Sequence, residues 1–225
     1  MCGRYVIEGN AGLSERFHLR HVPQDLFADF STYNAAPTQL LPVIIENEAG
    51  ERSLVPMQWG LVPRWKPQPG KRGVAPINAR AETLFEKPMF RNLTKAQRCI
   101  VPASGFYEWQ RVGNHKQPYY ITSEDGEAWG LAGLYDQTHE DEDAVGSFTI
   151  ITTGANDRMS SLHERMPVIL ERGLEEDWLS ADVRDPGEIE QFLKPYPEDE
   201  MRVYPVSTAV NNTRNNSPEL VQEQE

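Results

Sequence analysis

The second residue, Cys2, is the first group in the chain that could do covalent chemistry. Methionine is usually removed when the second residue is small, so we expect the mature chain to begin with a cysteine that presents a free amine beside its thiol. That amine has a reference pKa of about 7.7–8.0, so part of it is neutral near pH 7 and can attack an aldehyde to form an imine. The thiol of the same residue can then add to the imine carbon and close a five-membered thiazolidine. The alternative is an incidental cysteine on a disordered terminus.

Two further segments carry groups that are suited to proton transfer. Glu108 stands between Tyr107 and Trp109, and a carboxyl group that is partly buried among aromatic rings has a raised pKa, which suits general acid and base catalysis. His163 precedes a strand-like run, and its imidazole titrates near neutrality. The simpler interpretations are an edge glutamate paired with Arg111 and a histidine with a structural role.

The first half of the chain also carries side chains that could hold an anionic ligand. Asn78 could hydrogen-bond a sugar hydroxyl or hold the terminal amine, and Arg80 could bind a phosphate. Alternatively, both belong to a turn ahead of a short helix. Trp65 is flanked by Arg and Lys, which is typical of a stacking platform for unpaired bases, whereas Trp59 is predicted to lie in the core.

The formal net charge of −12 is unevenly distributed along the chain. Residues 1–120 hold 15 Lys and Arg against 10 Asp and Glu, a balance of +5, whereas residues 121–225 hold 7 against 24, a balance of −17. The half that carries Cys2, Asn78 and Arg80 therefore keeps a positive surplus. Arg outnumbers Lys 16 to 6, and this acidic, lysine-poor composition resembles that of proteins from a high-salt cytoplasm. Salt would weaken attraction to phosphates there.

Length and composition predict one large globular domain. The chain has no apolar run near the ~20 residues of a membrane span, and its first ten residues lack the apolar segment of a secretory signal. We therefore expect a cytoplasmic protein in which Cys2 and Cys99 stay reduced, with Cys99 as a small core residue. No Cys-x-x-Cys motif occurs, and the histidines form no pair tighter than His18 and His21, so we expect no metal and no other cofactor.

Short β-like runs predominate over helical patterns and lie at 42–45, 118–122, 129–135, 147–153, 167–170 and 202–206. Predicted helices cover 13–19, 174–181 and a segment that Asp185 caps and Pro186 begins. Strands and helices do not alternate regularly, which argues against a doubly wound sheet. The sequence therefore predicts an α+β fold with mainly antiparallel strands. We also expect a hairpin tip at 139–143 and a polar, frayed tail at 215–225.

Eight segments together resemble the SOS-response-associated peptidase family, also called the abasic-site-processing or SRAP family. They lie in the family's order at 1–5, 33–37, 59–65, 77–83, 99–109, 151–153, 162–168 and 205–207. Each segment alone is weak evidence. Their order over nearly the whole chain is what carries the resemblance.

The resemblance implies a single α+β domain over residues 1–214, with a barrel-like β core and a positively charged groove for single-stranded DNA. It implies that Cys2 forms a thiazolidine crosslink with the aldehyde of an abasic site, and that Asn78 positions the cysteine and the sugar. Glu108 would help to open the sugar ring and to form and reverse the link. His163 would be the second acid/base group.

The resemblance also implies DNA contacts and a cellular role. The residues expected to contact phosphates and neighbouring bases are Arg4, Trp65, Arg80 and Thr152. The expected partner is single-stranded DNA with an abasic site, in the DNA damage response at the nucleoid, with replication-fork proteins as further candidates and with no membrane or metal. Only a sugar that has lost its base can open to an aldehyde, so the chemistry itself selects the lesion. A transient imine also permits β-elimination, which predicts a weak lyase activity.

Two other functions remain open from the sequence. Cys2, Glu108 and His163 could instead attack an amide, as in a peptidase that removes its own Met1, and this would need an oxyanion hole. The chain could also bind single-stranded DNA without a covalent bond, in which case Cys2 would be dispensable. Two features depart from the family pattern, namely the overall acidity and a long loop at 66–73.

Overall fold

The computed structural model of the chain describes residues 2–9, 11–22, 31–62, 75–137 and 145–224. Trp65 and the predicted hairpin tip at 139–143 lie outside these ranges. The strands are β1 Tyr5–Ile7, β2 Leu19–His21, β3 Thr32–Ala35, β4 Leu40–Glu46, β5 Arg52–Trp59, β6 Asn78–Arg80, β7 Arg98–Ala103, β8 Gly105–Val112, β9 His115–Ser123, β10 Trp129–Asp136, β11 Ser147–Gly154, β12 Arg165–Pro167, β13 Ile169–Leu170 and β14 Met201–Pro205. The α-helices are α1 Ala11–Arg16, α2 Asp157–Ser160, α3 Glu175–Leu179 and α4 Pro186–Glu190, and short 3-10 helices include Ala81–Thr83, Thr208–Asn211 and Pro218–Val221.

Two β-sheets form the body of the fold. The smaller sheet has the order β14-β9-β8-β1-β3, and its pairings among the described residues are antiparallel. The larger sheet has the order β12-β11-β10-β7-β4-β5-β2, with β13 added to β10 and β6 added to β11. A parallel pairing between β11 and β5 joins the ends of the run β11-β10-β7-β4-β5 into a ring. The predicted α+β class, with mainly antiparallel strands and a barrel-like core, is confirmed.

An aromatic contact connects the first strand of the chain to the larger sheet. Tyr5 of β1 meets Trp59 of β5 edge to face, with ring centroids 5.2 Å apart. Trp59 in turn stacks on Phe148 of β11 with a centroid separation of 6.3 Å. All three side chains are fully buried, which confirms the prediction that Trp59 lies in the core. Burial of these rings fixes the position of the amino-terminal strand against the ring of strands.

The predicted β-like runs at 42–45, 118–122, 129–135 and 147–153 all lie within strands. The run at 202–206 is strand except for its last residue, and the run at 167–170 is divided between β12 and β13. The division occurs because Val168 bonds to two different strands: its N–H donates to Ile151 of β11 and its carbonyl accepts from Ala132 of β10, both at 2.9 Å. Short strands such as β1, β3 and β6 were missed, because three or four residues are too few to show the alternation of apolar and polar residues that indicates a strand.

The helices are short. The helix predicted at 13–19 instead spans Ala11–Arg16, since His18 has a left-handed backbone with φ 53° that ends the helical turn. Asp185 caps α4 as predicted, and its carboxylate accepts a hydrogen bond from the Gly187 N–H at 2.8 Å. Within the described ranges, no helix combines the length and the apolar character that a membrane crossing requires.

The carboxyl-terminal residues fold onto the body of the protein, which corrects the expectation of a frayed tail at 215–225. A 3-10 helix covers Pro218–Val221, and Leu220 within it is only 3% exposed. The Gln224 N–H donates to the Pro205 carbonyl at 2.9 Å. A polar composition predicted disorder here, but one buried leucine and a strand-like hydrogen bond are enough to order the segment.

Gly105, the first residue of β8, lies where backbones approach too closely for any other residue. A Cβ atom at this position would lie 2.4 Å from the Ile121 carbonyl oxygen and 2.5 Å from the ring of Tyr120. Glycine is therefore required for β8 to pair with both β1 and β9.

We expect Gly105→Ala to lower the free energy of unfolding by about 3 kcal/mol, because the added methyl group overpacks a strand junction that includes backbone. Gly154→Ala is the matched control, since a Cβ there meets nothing within 4 Å. Urea denaturation of both variants measures the difference. Equal unfolding free energies for the two variants would contradict the proposed close packing.

Candidate active site

Cys2 lies beside β8 because the strand that follows it pairs with that strand. Tyr5 pairs with Phe106 in an antiparallel register, and the Tyr107 N–H donates to the Arg4 carbonyl at 3.0 Å. Continuing this register toward the amino terminus brings residues 2 and 3 alongside residues 108 and 109. The Cys2 side chain has no exposed surface and belongs to the main apolar cluster.

The Glu108 carboxyl group is buried, with 4% of the residue exposed. Burial raises its pKa to about 7, and the positive charge of the amino terminus partly opposes this rise. The expected burial and raised pKa of Glu108 are therefore found, and its role in proton transfer stays a prediction. A carboxyl group that titrates near pH 7 can both accept and donate a proton under physiological conditions.

The Cys2 thiol is electrostatically coupled to Glu108. Burial is the main cause that raises the pKa of the thiol to about 12, and the negative charge of Glu108 raises it further. A thiol with this pKa stays protonated near neutrality, so it needs a base to take its proton when the sulfur attacks. Glu108 is the coupled group that can supply this base.

Asn78 presents a buried acceptor atom that is not satisfied within the described part of the protein. It pairs with Ile150 in the parallel β6–β11 ladder, and its Nδ2 donates weakly to the Ile150 carbonyl at 3.5 Å. Its Oδ1 is buried without a hydrogen-bond partner. A buried amide oxygen normally has a donor, so this atom is an acceptor available to an N–H or O–H group of a ligand.

A chain of contacts connects Asn78 to the amino-terminal strand. The Trp59 Nε1–H donates to the Ile77 carbonyl at 3.0 Å, and Trp59 packs against Tyr5. The pKa of the Tyr5 hydroxyl is raised well above its ordinary value by burial, with Cys2 as a further cause. Tyr5 therefore lies between the cysteine and the segment that leads into β6.

His163 lies in the turn between α2 and β12, at the mouth of a strand as the sequence predicts. Its N–H donates to the Met159 carbonyl at 3.0 Å, and its Nδ1 accepts from the Arg165 N–H at 2.9 Å. Burial lowers the pKa of His163, and the amino-terminal charge acts in the same direction. The Gln110 Nε2 donates to the Ser161 carbonyl at 3.2 Å, which ties this turn to β8 two residues beyond Glu108.

The positive charge of the amino terminus affects the ionisation of three of the predicted groups. It acts to lower the pKa values of Cys2, Glu108 and His163 alike, so all three lie within the electrostatic reach of that charge. Asn78 joins them less directly, through Trp59 and Tyr5. Among the described residues, no cluster of three or more His, Cys, Asp or Glu side chains is arranged to hold a metal ion.

The residues predicted to contact DNA have different environments. Arg80 is exposed at the end of β6. Arg4 is half-buried, and its Nη1 donates to Asn34 Oδ1 at 2.6 Å and to the Val210 carbonyl at 2.8 Å. Thr152 has no exposed surface. Arg4 and Thr152 therefore face internal partners, and of the described candidates only Arg80 presents a free cationic surface.

The sequence did not single out Arg165 or Glu82, which the structure joins by a salt bridge next to His163. Both residues occur in the quoted segments 77–83 and 162–168, but nothing in a single sequence links two charges that are 83 positions apart. Asn34 was missed for the same reason. Its Nδ2 donates to carbonyls near the carboxyl terminus, including that of Asn215 at 2.8 Å.

The raised pKa of Glu108 predicts a cost in stability. The folded protein holds this proton more tightly than the unfolded chain does, so the associated stability is complete below about pH 4.5 and is lost as the pH rises through about 7. We expect the free energy of unfolding of Glu108→Gln, taken relative to that of the parent, to rise by about 3 kcal/mol between pH 4 and pH 8. Urea denaturation at both pH values measures this, with exposed Glu86→Gln as the control. A Glu108→Gln gain that does not depend on pH would contradict the assigned burial.

Comparison with known proteins identifies the family. The family model described as SOS response associated peptidase (SRAP) matches residues 1–213. Abasic site processing protein YoqW of Bacillus subtilis (strain 168) is 39% identical over 226 residues, covering 99% of each chain. Abasic site processing protein HMCES of Xenopus tropicalis is 36% identical, covering 84% of this chain and 65% of that protein.

Solved structures agree with this match. A crystal structure of a protein from Bacteroides thetaiotaomicron superposes with a TM-score of 0.86 at 28% identity and covers 100% of both chains. One from Bordetella bronchiseptica superposes with a TM-score of 0.75 at 27% identity, covering 92% of this chain and 100% of that one. With residues 1–213 matched and a relative 39% identical along its full length, this chain belongs to the SOS response associated peptidase (SRAP) family.

Proposed function

We propose that this protein processes abasic sites in single-stranded DNA by forming a covalent link through the amine and thiol of Cys2, after removal of Met1. The observation that carries the proposal is the coupling between the buried Cys2 thiol and a carboxyl group, Glu108, whose pKa is about 7. The names of the relatives support the substrate, since YoqW and HMCES are both called abasic site processing proteins.

The proposed reaction is a condensation that releases one water molecule. The neutral amine of Cys2 attacks the aldehyde carbon of the opened sugar. An acid then protonates the hydroxyl group of the carbinolamine, which leaves as water and gives a protonated imine. The sulfur then adds to the imine carbon, the thiol proton passes to a base, and a thiazolidine ring closes. Both nucleophiles belong to one residue, so the second step is intramolecular and has a high effective concentration. Reversal adds water and returns the aldehyde.

Glu108 would act as the base for the thiol and as the acid that helps to open the sugar ring. Its pKa of about 7 suits both directions, because the protonated and ionised forms are then similarly populated. The unsatisfied Asn78 Oδ1 would accept a hydrogen bond from the Cys2 amine or from a sugar hydroxyl.

His163 would serve as the second acid/base group. Its Nδ1 already accepts a hydrogen bond from the Arg165 N–H, so the neutral ring carries its proton on Nε2 and can donate a hydrogen bond from there to an oxygen of the sugar. The imine intermediate would also permit β-elimination. We therefore propose a weak strand-cleaving lyase activity as a side reaction, within a response to DNA damage.

DNA recognition would rest first on Arg80, the exposed cation next to Asn78. Arg4 would act from inside the protein, where its bonds to Asn34 and Val210 fix the amino-terminal strand that carries Cys2. Thr152 would stabilise the site from within the core, since it has no exposed surface. Stacking of a base on Trp65 stays a prediction from the sequence.

We expect Cys2→Ala to abolish a protein–DNA adduct that survives a denaturing gel, because it removes the sulfur that closes the ring. Labelled single-stranded DNA with one abasic site is the probe. Cys99→Ala is the matched control, since it removes the other buried thiol and should leave the adduct intact.

An adduct yield that Cys2→Ala leaves unchanged would contradict the proposed covalent chemistry. Release of peptides from a protein substrate, with no adduct band for the parent protein, would instead indicate an N-terminal-nucleophile hydrolase.

We expect Arg80→Ala to weaken DNA binding and to reduce the slope of log K against log salt by about 0.7–1, the value for one phosphate contact. The binding is measured in a Cys2→Ala background, where no covalent bond interferes. Arg184→Ala, which removes an exposed arginine from the acidic half, is the control. A salt slope that is the same in both variants would argue against a phosphate contact at Arg80.

A further inference from the structure

Arg165 makes an unusually dense set of contacts close to the candidate site. The residue is 8% exposed, and its guanidinium binds both carboxylate oxygens of Glu82, with Nη2–Oε2 at 3.0 Å and a shorter contact between Nη1 and Oε1. The same Nη2 donates to the Thr152 carbonyl at 2.6 Å and lies 3.3 Å from Thr152 Oγ1. A two-pronged arginine–carboxylate pair of this kind fixes orientation as well as distance.

These contacts span three segments of the larger sheet. Thr152 of β11 pairs with Arg80 of β6 on one side and with Pro167 of β12 on the other. Arg165 is the first residue of β12, and Glu82 lies in the 3-10 helix that directly follows β6. The ion pair therefore crosses β11 and joins β12 to the 3-10 helix that follows β6.

Each end of the ion pair is close in sequence to a residue of the candidate site. Glu82 follows Asn78 by four residues, and three residues, Ala79, Arg80 and Ala81, lie between them. Arg165 follows His163 by two residues, and its own N–H donates to His163 Nδ1 at 2.9 Å. Movement of Arg165 would therefore change both the orientation of the imidazole and the spacing between the His163 turn and the Asn78 strand.

We propose that the Glu82–Arg165 ion pair is a brace that aligns Asn78 with His163, which makes Glu82 a positioning residue for the reaction. This inference rests on the proposed function of the site. Glu82 itself would touch neither substrate nor reacting atoms. It would hold the guanidinium across β11 so that Arg165 keeps the His163 ring in its hydrogen-bonded orientation.

The effect of Arg165 on the ionisation of Glu82 supports the brace. The pKa of Glu82 is lowered, and its hydrogen bonds from Arg165 are the largest cause. Glu82 is half-exposed at its side chain, whereas that of Arg165 is 10% exposed. Glu82→Gln is the informative substitution at this pair, because it removes the charge while an amide oxygen and the Thr152 carbonyl can still accept hydrogen bonds from the buried guanidinium.

The test compares Glu82→Gln with Glu86→Gln, which removes the same charge from an exposed position four residues further along. We expect Glu82→Gln to slow adduct formation with abasic single-stranded DNA about tenfold, within the range caused by small misplacements of reacting groups. Glu82→Asp keeps the charge with a shorter reach and should fall between Glu82→Gln and the parent. Glu86→Gln should match the parent.

A second readout does not depend on the reaction. In Glu82→Gln the hydrogen bond from the Arg165 N–H to His163 Nδ1 should weaken, and the ¹⁵N chemical shift of His163 Nδ1, measured by NMR, should change accordingly. A residue that only stabilised the fold would lower the melting temperature without moving this chemical shift. If Glu82→Gln fails to fold, Glu82→Asp provides the same two measurements.

The outcomes separate this inference from the proposed function. A parent protein without any adduct refutes the proposed function, and the brace is then judged by the His163 Nδ1 chemical shift alone. A His163 Nδ1 chemical shift that is equal in the parent and the folded Glu82 variant overturns the brace. Equal adduct rates for Glu82→Gln and Glu86→Gln overturn it as well.

Discussion

Antiparallel pairing of β1 with β8 is the constraint on which the candidate site depends. It carries the residues that precede β1 toward Glu108, and the negative charge of Glu108 is one of the causes that raise the pKa of the Cys2 thiol. The pairing is possible because Gly105 allows backbones to approach at the start of β8, and because Tyr5 is held in the core by Trp59. A shift of one residue in this register would turn the Glu108 side chain to the opposite face of the sheet.

Two of the candidate groups, Glu108 and Asn78, are unfavourable for the fold. Glu108 is a buried carboxyl group whose pKa is raised, and Asn78 has a buried oxygen without a donor among the described residues. Such features persist where the surrounding structure enforces them, and they concentrate at functional sites. Here two sheets with a large aromatic and aliphatic core supply the stability that tolerates them.

Individual residues show which parts of this arrangement a sequence can predict. Glu108 was recognisable because its aromatic neighbours in the chain indicate burial, and His163 because a strand-like run follows it. Arg4 was assigned to DNA, whereas its guanidinium binds Asn34 and Val210, partners that are 30 and 206 positions away. The Glu82–Arg165 pair was invisible for the same reason, since contacts between distant segments depend on sheet order. The tail at 215–225 was mistaken because its few apolar residues suggested disorder, although Leu220 alone is buried.

The intact mass of the protein after incubation with single-stranded DNA containing one abasic site tests the central claim most directly. The account predicts a single product whose mass equals the chain without Met1 plus one oligonucleotide, less one molecule of water. A product that retains Met1 would contradict the account, because the α-amine would then not belong to Cys2. A protein that lacks Met1 and gains no mass from the abasic strand would contradict it equally.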